Sequence, residues 1–202
     1  GPTVIFSPDP VRSIKTFLPG TLGFTIASIG MWVATEFLRW YVYQGLTDMF
    51  RECGLNVFHY LVAGIHIDIL IDGVLGYFAI MAIASLYIGT DLSIAIPNRF
   101  DLFLLALLMA FPAYILCGTL IAYLYTVTPI GGIWTNILQM SLIIGTIVPP
   151  TILPKPEIAL INPATIVAEL ARAAYGTNIL DLDLLLIASP ILFIIYIVLA
   201  YT

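Results

Sequence analysis

Residues 141–176 read SLIIGTIVPPTILPKPEIALINPATIVAELARAAYG and carry the densest set of local signals in the chain. Asn162 followed by Pro163 has the form of a helix N-cap and first helical position, since the Asn oxygen can accept from an orphan amide and proline's fixed φ is already helical. Gly176 closes the same segment. Between them Ile166, Val167, Leu170, Ala171 and Ala174 fall on one face and Thr165, Glu169 and Arg172 on the other, the last two spaced as an i,i+3 ion pair. At 1.5 Å per residue this helix is roughly 20 Å long, against a hydrocarbon core of about 30 Å. The spacing therefore predicts an interfacial helix over residues 162–176, its apolar face turned into protein or lipid and Glu169 and Arg172 on the wetter side.

Around this segment the chain is apolar. With 61% hydrophobic residues, 9% charged and a mean hydropathy of +1.07, its 202 residues exceed what a soluble core can bury. Charge-free runs cover residues 16–35, 73–90, 102–154 and 184–202, and the longest is divided near residues 128–132. The expected fold is all-α and polytopic, with five spans at about 17–41, 62–90, 102–126, 131–150 and 182–202. Residues 1–202 then form a single transmembrane domain, with Trp32, Trp40, Tyr41 and Tyr43 as an aromatic belt. Pro112 is expected to kink the third span, and Pro190 lies in the last. The small residues of the second span, Gly73, Gly76, Ala79, Ala82 and Ala84, are expected to let helix backbones approach closely.

The net charge of −5 comes from scattered acids, which excludes a nucleic-acid-binding face. Cys53 and Cys117 fall in different environments, a polar loop and a span, and are not read as a disulfide. His66, Asp68 and Asp72 cluster at the start of the second span, but the chain has no pair of helical histidines at i,i+4, so a metal site is not expected. Two readings remain for Asp68 and Asp72: solvent-facing or interhelix hydrogen bonding, or carboxylates linked to transport. Trp134, Asn136, Gln139 and Ser141 give the fourth span a polar stripe, expected to bond to a neighbouring helix or, as the alternative, to meet a substrate. No phosphate-binding lysine loop, nucleophile elbow, HExxH or CxxC occurs. The chain is not read as an enzyme, and no cofactor is expected on it.

The ordered set Gly145, Pro149, Leu153 with Pro154, Asn162 with Pro163, Thr165, Glu169, Arg172 and Gly176 resembles the end of the fifth span and the approach to the sixth in ABC-transporter permeases of the drug, lipid and polysaccharide exporter class. A looser likeness pairs Gly64 with the start of that family's second span, and Gly89, Thr90, Pro97 and Arg99 with its cytoplasmic coupling segment. The resemblance implies a plasma-membrane permease working with membrane lipid around it, a second permease copy and cytoplasmic ATPase subunits that hold ATP. It also implies that residues 162–176 close the outer end of a pathway for a lipid, drug-like or glycan substrate. The chain departs from the family in having five apparent spans instead of six, scarcely any room for an amphipathic helix before the first span, and Leu86, Tyr87 and Ile88 where charged residues precede the Gly-Thr step. The alternative is a non-catalytic structural subunit of a larger membrane complex.

Overall fold

The structure, a computed structural model, describes residues 8–45, 48–49, 52–128 and 131–201. The described residues are helical, apart from connections and an isolated bridge between Ile144 and Val148. Helix α1 spans Pro10–Tyr43. It is followed by α2 (Val57–Ile67), which passes directly into a π-helical stretch (Asp68–Leu75) and then α3 (Gly76–Tyr87). A 3-10 turn (Leu92–Ala95) leads to α4 (Phe100–Val127), after which come α5 (Gly131–Leu142), two further 3-10 turns (Pro150–Ile152 and Pro156–Ile161), α6 (Pro163–Ala174) and α7 (Leu182–Tyr201).

Among the described residues three helices are long and apolar enough to cross a membrane: residues 10–39 of α1, all of α4 and all of α7. The other two expected spans differ from the sequence reading. The run 62–90 is interrupted by π-helix, where Asp72 and Gly73, both poor helix formers, fall in the middle. The run 131–150 stops being helical at Leu142, because Gly145 adopts φ +88° and prolines follow at 149 and 150. An α5 of 12 residues reaches only about 18 Å.

The termini of the elements sort into two ends. At the near end lie the start of α1, the Leu92–Ala95 turn, the start of α4 and the C-terminus of α6, joined by Arg99 N to Ala174 O (3.0 Å), Tyr175 Oη to Ala95 O (2.7 Å) and Arg172 Nε to Thr16 O (2.8 Å). At the far end Phe58 meets Tyr201 edge to face, and Thr35 of α1 lies 3.4 Å from Thr135 of α5. Helix α5 thus starts at the far end and stops partway, where Leu142 packs with Ala27, Met31, Cys117 and Ala164. Helix α6 starts at that level and completes the traverse to the near end.

Close backbone approach occurs on α1. A Cβ at Gly30 would collide with the Tyr114 carbonyl of α4, one at Gly118 would sit 2.8 Å from Gly30 O, and one at Gly23 would strike the Ala164 carbonyl of α6. Gly76 faces open space, and α3 buries Tyr77, Met81 and Ser85, the i,i+4,i+8 face, leaving Ala79 exposed. The physical reason is volume: Gly23 and Gly30, seven residues apart, share one face of α1, which meets the α6 backbone at Gly23 and the α4 backbone at Gly30, and only glycine leaves room for them.

Candidate functional site

The centre of the structure is α6. Every residue from Ala164 to Ala174 is buried, Glu169 and Arg172 with no exposed surface at all, because α1, α4 and α7 pack around the helix. The amphipathic reading is corrected on this point: α6 has no wet face. Two buried charges persist only when paired and hydrogen-bonded, and both conditions are met here. Arg172 Nη1 donates to Glu169 Oε1 (2.5 Å) and to Gly145 O (3.2 Å), Nη2 donates to Thr146 O, and Nε donates to Thr16 O. Glu169 Oε2 accepts from the amides of Ile179 (2.8 Å) and Leu180 (3.0 Å). The pair therefore ties four segments together: α6, the start of α1, the turn after α5 and the approach to α7.

Both ends of α6 are set by the residues that the sequence marks. Asn162 Oδ1 accepts from Ala164 N at 3.0 Å, and its Nδ2 donates to Leu142 O (3.2 Å) and Ile144 O (2.8 Å), so the cap of α6 also serves the last carbonyls of α5. At the other end Gly176 takes φ +72°, Gly176 N donates to Ala173 O and Thr177 N to Arg172 O, the paired bonds of a Schellman stop. Thr177 Oγ1 also donates to Lys15 O at 2.6 Å. Pro19 explains that contact, since it has no N–H to offer the carbonyl four residues earlier in α1. Asn162→Ala is expected to cost about 0.5–2 kcal/mol for the cap and roughly 0.6 kcal/mol for each further bond. Asn162→Ser should recover only the cap share; equal thermal midpoints for the wild type and Asn162→Ala in detergent would refute the double role.

Of the other motif residues, Gly145 lies against Thr165, and Pro97 is buried beside the α6 terminus. Gly89 and Thr90 repeat the Gly176–Thr177 geometry: Gly89 has φ +71°, Thr90 N donates to Ser85 O at 3.0 Å, and the pair ends α3. Arg99 is exposed and pairs with Asp101 through Nη2 and Oδ2 at 2.6 Å, while its amide reaches Ala174 O. The resemblance puts the 89–101 segment and the 162–176 helix at opposite faces of the membrane. Here the last turn of α6 and that segment are hydrogen-bonded neighbours, so α6 does not close an outer end while residues 89–101 mark the inner one.

The remaining polar candidates do not join this assembly. Asp72 is exposed, and the side chains of His66 and Asp68, like those of Trp40, Tyr41 and Tyr43, lie outside the described residues. Asn136 is exposed and Gln139 half-buried; Ser141 turns back to its own helix, donating to Leu138 O. The α5 side chain Thr135, which the sequence reading passed over, makes an interhelix polar contact with Thr35. Also missed were the α1 carbonyls used by the end of α6 and the residues after it, Thr16 O by Arg172 and Lys15 O by Thr177. Pro19, Gly20 and Gly23 in one short stretch were the available signal, the first freeing the Lys15 carbonyl and the other two making room.

The fold and site together define an all-helical bundle wrapped around a buried, charge-bearing half-helix. No family model matches the chain, and no curated protein or solved structure is significantly similar to it.

Proposed function

We propose that the chain is a membrane-spanning transport subunit, the permease of an ATP-driven exporter moving a lipid, drug-like or glycan substrate across the plasma membrane. In this reading α1, α4 and α7 cross as continuous helices, the α2–π–α3 run crosses once more, and α5 with α6 forms one discontinuous crossing. The observation that carries it is the break itself. Residues 143–162 leave α-helical geometry partway along the bundle, with two short 3-10 turns between a helix ending at Leu142 and one capped by Asn162. Gly145, Thr146 and Pro150 of the break are buried, while Lys155 and Glu157 beside its second 3-10 turn are exposed, and discontinuous helices are where transporters place their working parts. The chain carries no nucleotide-hydrolysing motif, so energy comes from partner ATPase subunits. The near end, with residues 91–99 against α6, is their docking end. This departs from the resemblance, which has the half-helix at the outer face.

A second reading, a structural subunit of a larger membrane complex, is favoured by one feature: among the described residues Glu169 and Arg172 are fully enclosed and line none of the four main cavities. The two readings separate experimentally. Under the transport reading an ATPase co-purifies with the chain, and reconstituted vesicles move substrate on ATP addition until residues 91–101 are scrambled. Recovery of the chain in a large assembly without any ATPase would reject the transporter in favour of the structural subunit.

A further inference from the structure

At the far end, on the opposite side of the bundle from the α6 clamp, a cavity of about 590 Å³ opens where α1, α4 and α5 meet. Its volume lies in the ordinary range for small-ligand sites. Thr35 and Thr135, both buried, make its floor with their hydroxyls 3.4 Å apart. Glu36 and Arg39 stand on one wall as an i,i+3 pair at 4.0 Å, each about half-exposed or more. Trp32, half-exposed, and Tyr125 add two aromatic rings. Gly132, in the first turn of the 12-residue α5, completes the lining and brings the positive end of that helix to the site.

The chemistry is that of a zwitterion receptor. A loose, exposed ion pair contributes only about 0–1 kcal/mol, so a ligand phosphate that draws Arg39 aside gives up little. An ammonium between Glu36 and the indole face of Trp32 gains an ion pair and a cation–π contact. A phosphate beside Arg39 and the α5 N-terminus gains the complementary pair. Location selects the source of the zwitterion. Helix α4 ends at Val127, beside the cavity, and Arg39 lies within the last two turns of α1. Immediately beside it α5 exposes Ile133, Ile137 and Met140 on one face (53%, 48% and 70%), an apolar strip that starts at the cavity and runs toward mid-bundle. A soluble zwitterion would make no use of that strip, whereas a phospholipid would lay its acyl chains along it.

We infer that this cavity binds the headgroup of a zwitterionic phospholipid, ammonium to Glu36 and Trp32, phosphate to Arg39 and the start of α5. The inference needs the chain to be membrane-embedded, but not to be a transporter. Retention of the full chain in alkali-washed membranes tests the first point on the same preparation, so the two failures are distinguishable. The detergent-purified chain is titrated with phosphatidylethanolamine or phosphatidylglycerol of identical acyl chains, and lipid adducts are counted by native mass spectrometry. Phosphatidylethanolamine should be retained at least about fivefold better; Glu36→Gln should abolish that preference, and Arg39→Gln should weaken both lipids. Equal retention of the two lipids by the wild-type chain, or an unchanged preference in Glu36→Gln, would overturn the site. Glu36-dependent binding of water-soluble glycerophosphoethanolamine without binding of the lipid would overturn the lipid assignment.

Discussion

Replacing Arg172 by methionine is expected to give the largest loss of stability of any single substitution discussed for this chain. Methionine fills much of the same volume, but it leaves the Glu169 carboxylate enclosed without a counter-charge, the carbonyls of Gly145 and Thr146 without their donor, and that of Thr16 without its bond to α6. Breaking a buried pair from one side costs about 3–5 kcal/mol. For a chain of this size that is a fall in thermal midpoint on the order of 10 °C. Arg172→Lys should fall in between, because a single ammonium cannot reach acceptors on α1, on the turn after α5 and on Glu169 from one position. Adding Glu169→Gln to Arg172→Met should restore part of the loss by removing the stranded charge, though not the orphaned carbonyls. A midpoint for Arg172→Met within a degree of the wild type would mean that the pair is solvated, and the description of α6 as an enclosed helix would fall with it.

Gly145→Ala is expected to rank second. The residue has φ +88°, where an L side chain costs about 1–2 kcal/mol, and an added methyl would collide with Thr165 Oγ1 at the start of α6. Overpacking adds about 1–3 kcal/mol, and the turn that hands two carbonyls to Arg172 would have to shift. The two contributions can be separated by a double-mutant cycle: Gly145→Ala in a Thr165→Ala background keeps the conformational penalty and removes the collision. Thermal unfolding of the four proteins in one detergent measures the coupling. Strict additivity would show that Gly145 and Thr165 do not touch.

These two substitutions also mark where sequence reading stops. The ends of α6 are local chemistry: Asn162–Pro163 caps it and Gly176 stops it, and each needs only neighbours within a few residues. The same holds for the loss of helix after Leu142, which a left-handed glycine and two prolines enforce, although the apolar run through residue 150 read as a continuing span. Hydropathy counts apolar residues without asking whether the backbone can stay helical. It therefore carried the helix on to residue 150, eight residues beyond the end of α5.

By itself, the sequence determined an apolar, all-helical chain with a capped helix of fixed length before the last apolar run, since composition, capping and φ preferences are properties of residues and their neighbours. Which way that helix faces was decided only in the tertiary structure. Its i,i+3 pair of opposite charges is what a solvated helix face would carry, and nothing local distinguishes it from a buried pair. The difference lies in groups 10 to 156 residues away in sequence: the amides of Ile179 and Leu180, the carbonyls of Gly145 and Thr146, and the Thr16 carbonyl. Long-range packing supplied those partners, helped by Gly20 and Gly23 in α1, which leave no side chain in the way. Without them the two charges would have to stay in water; with them α6 could be drawn into the middle of the bundle.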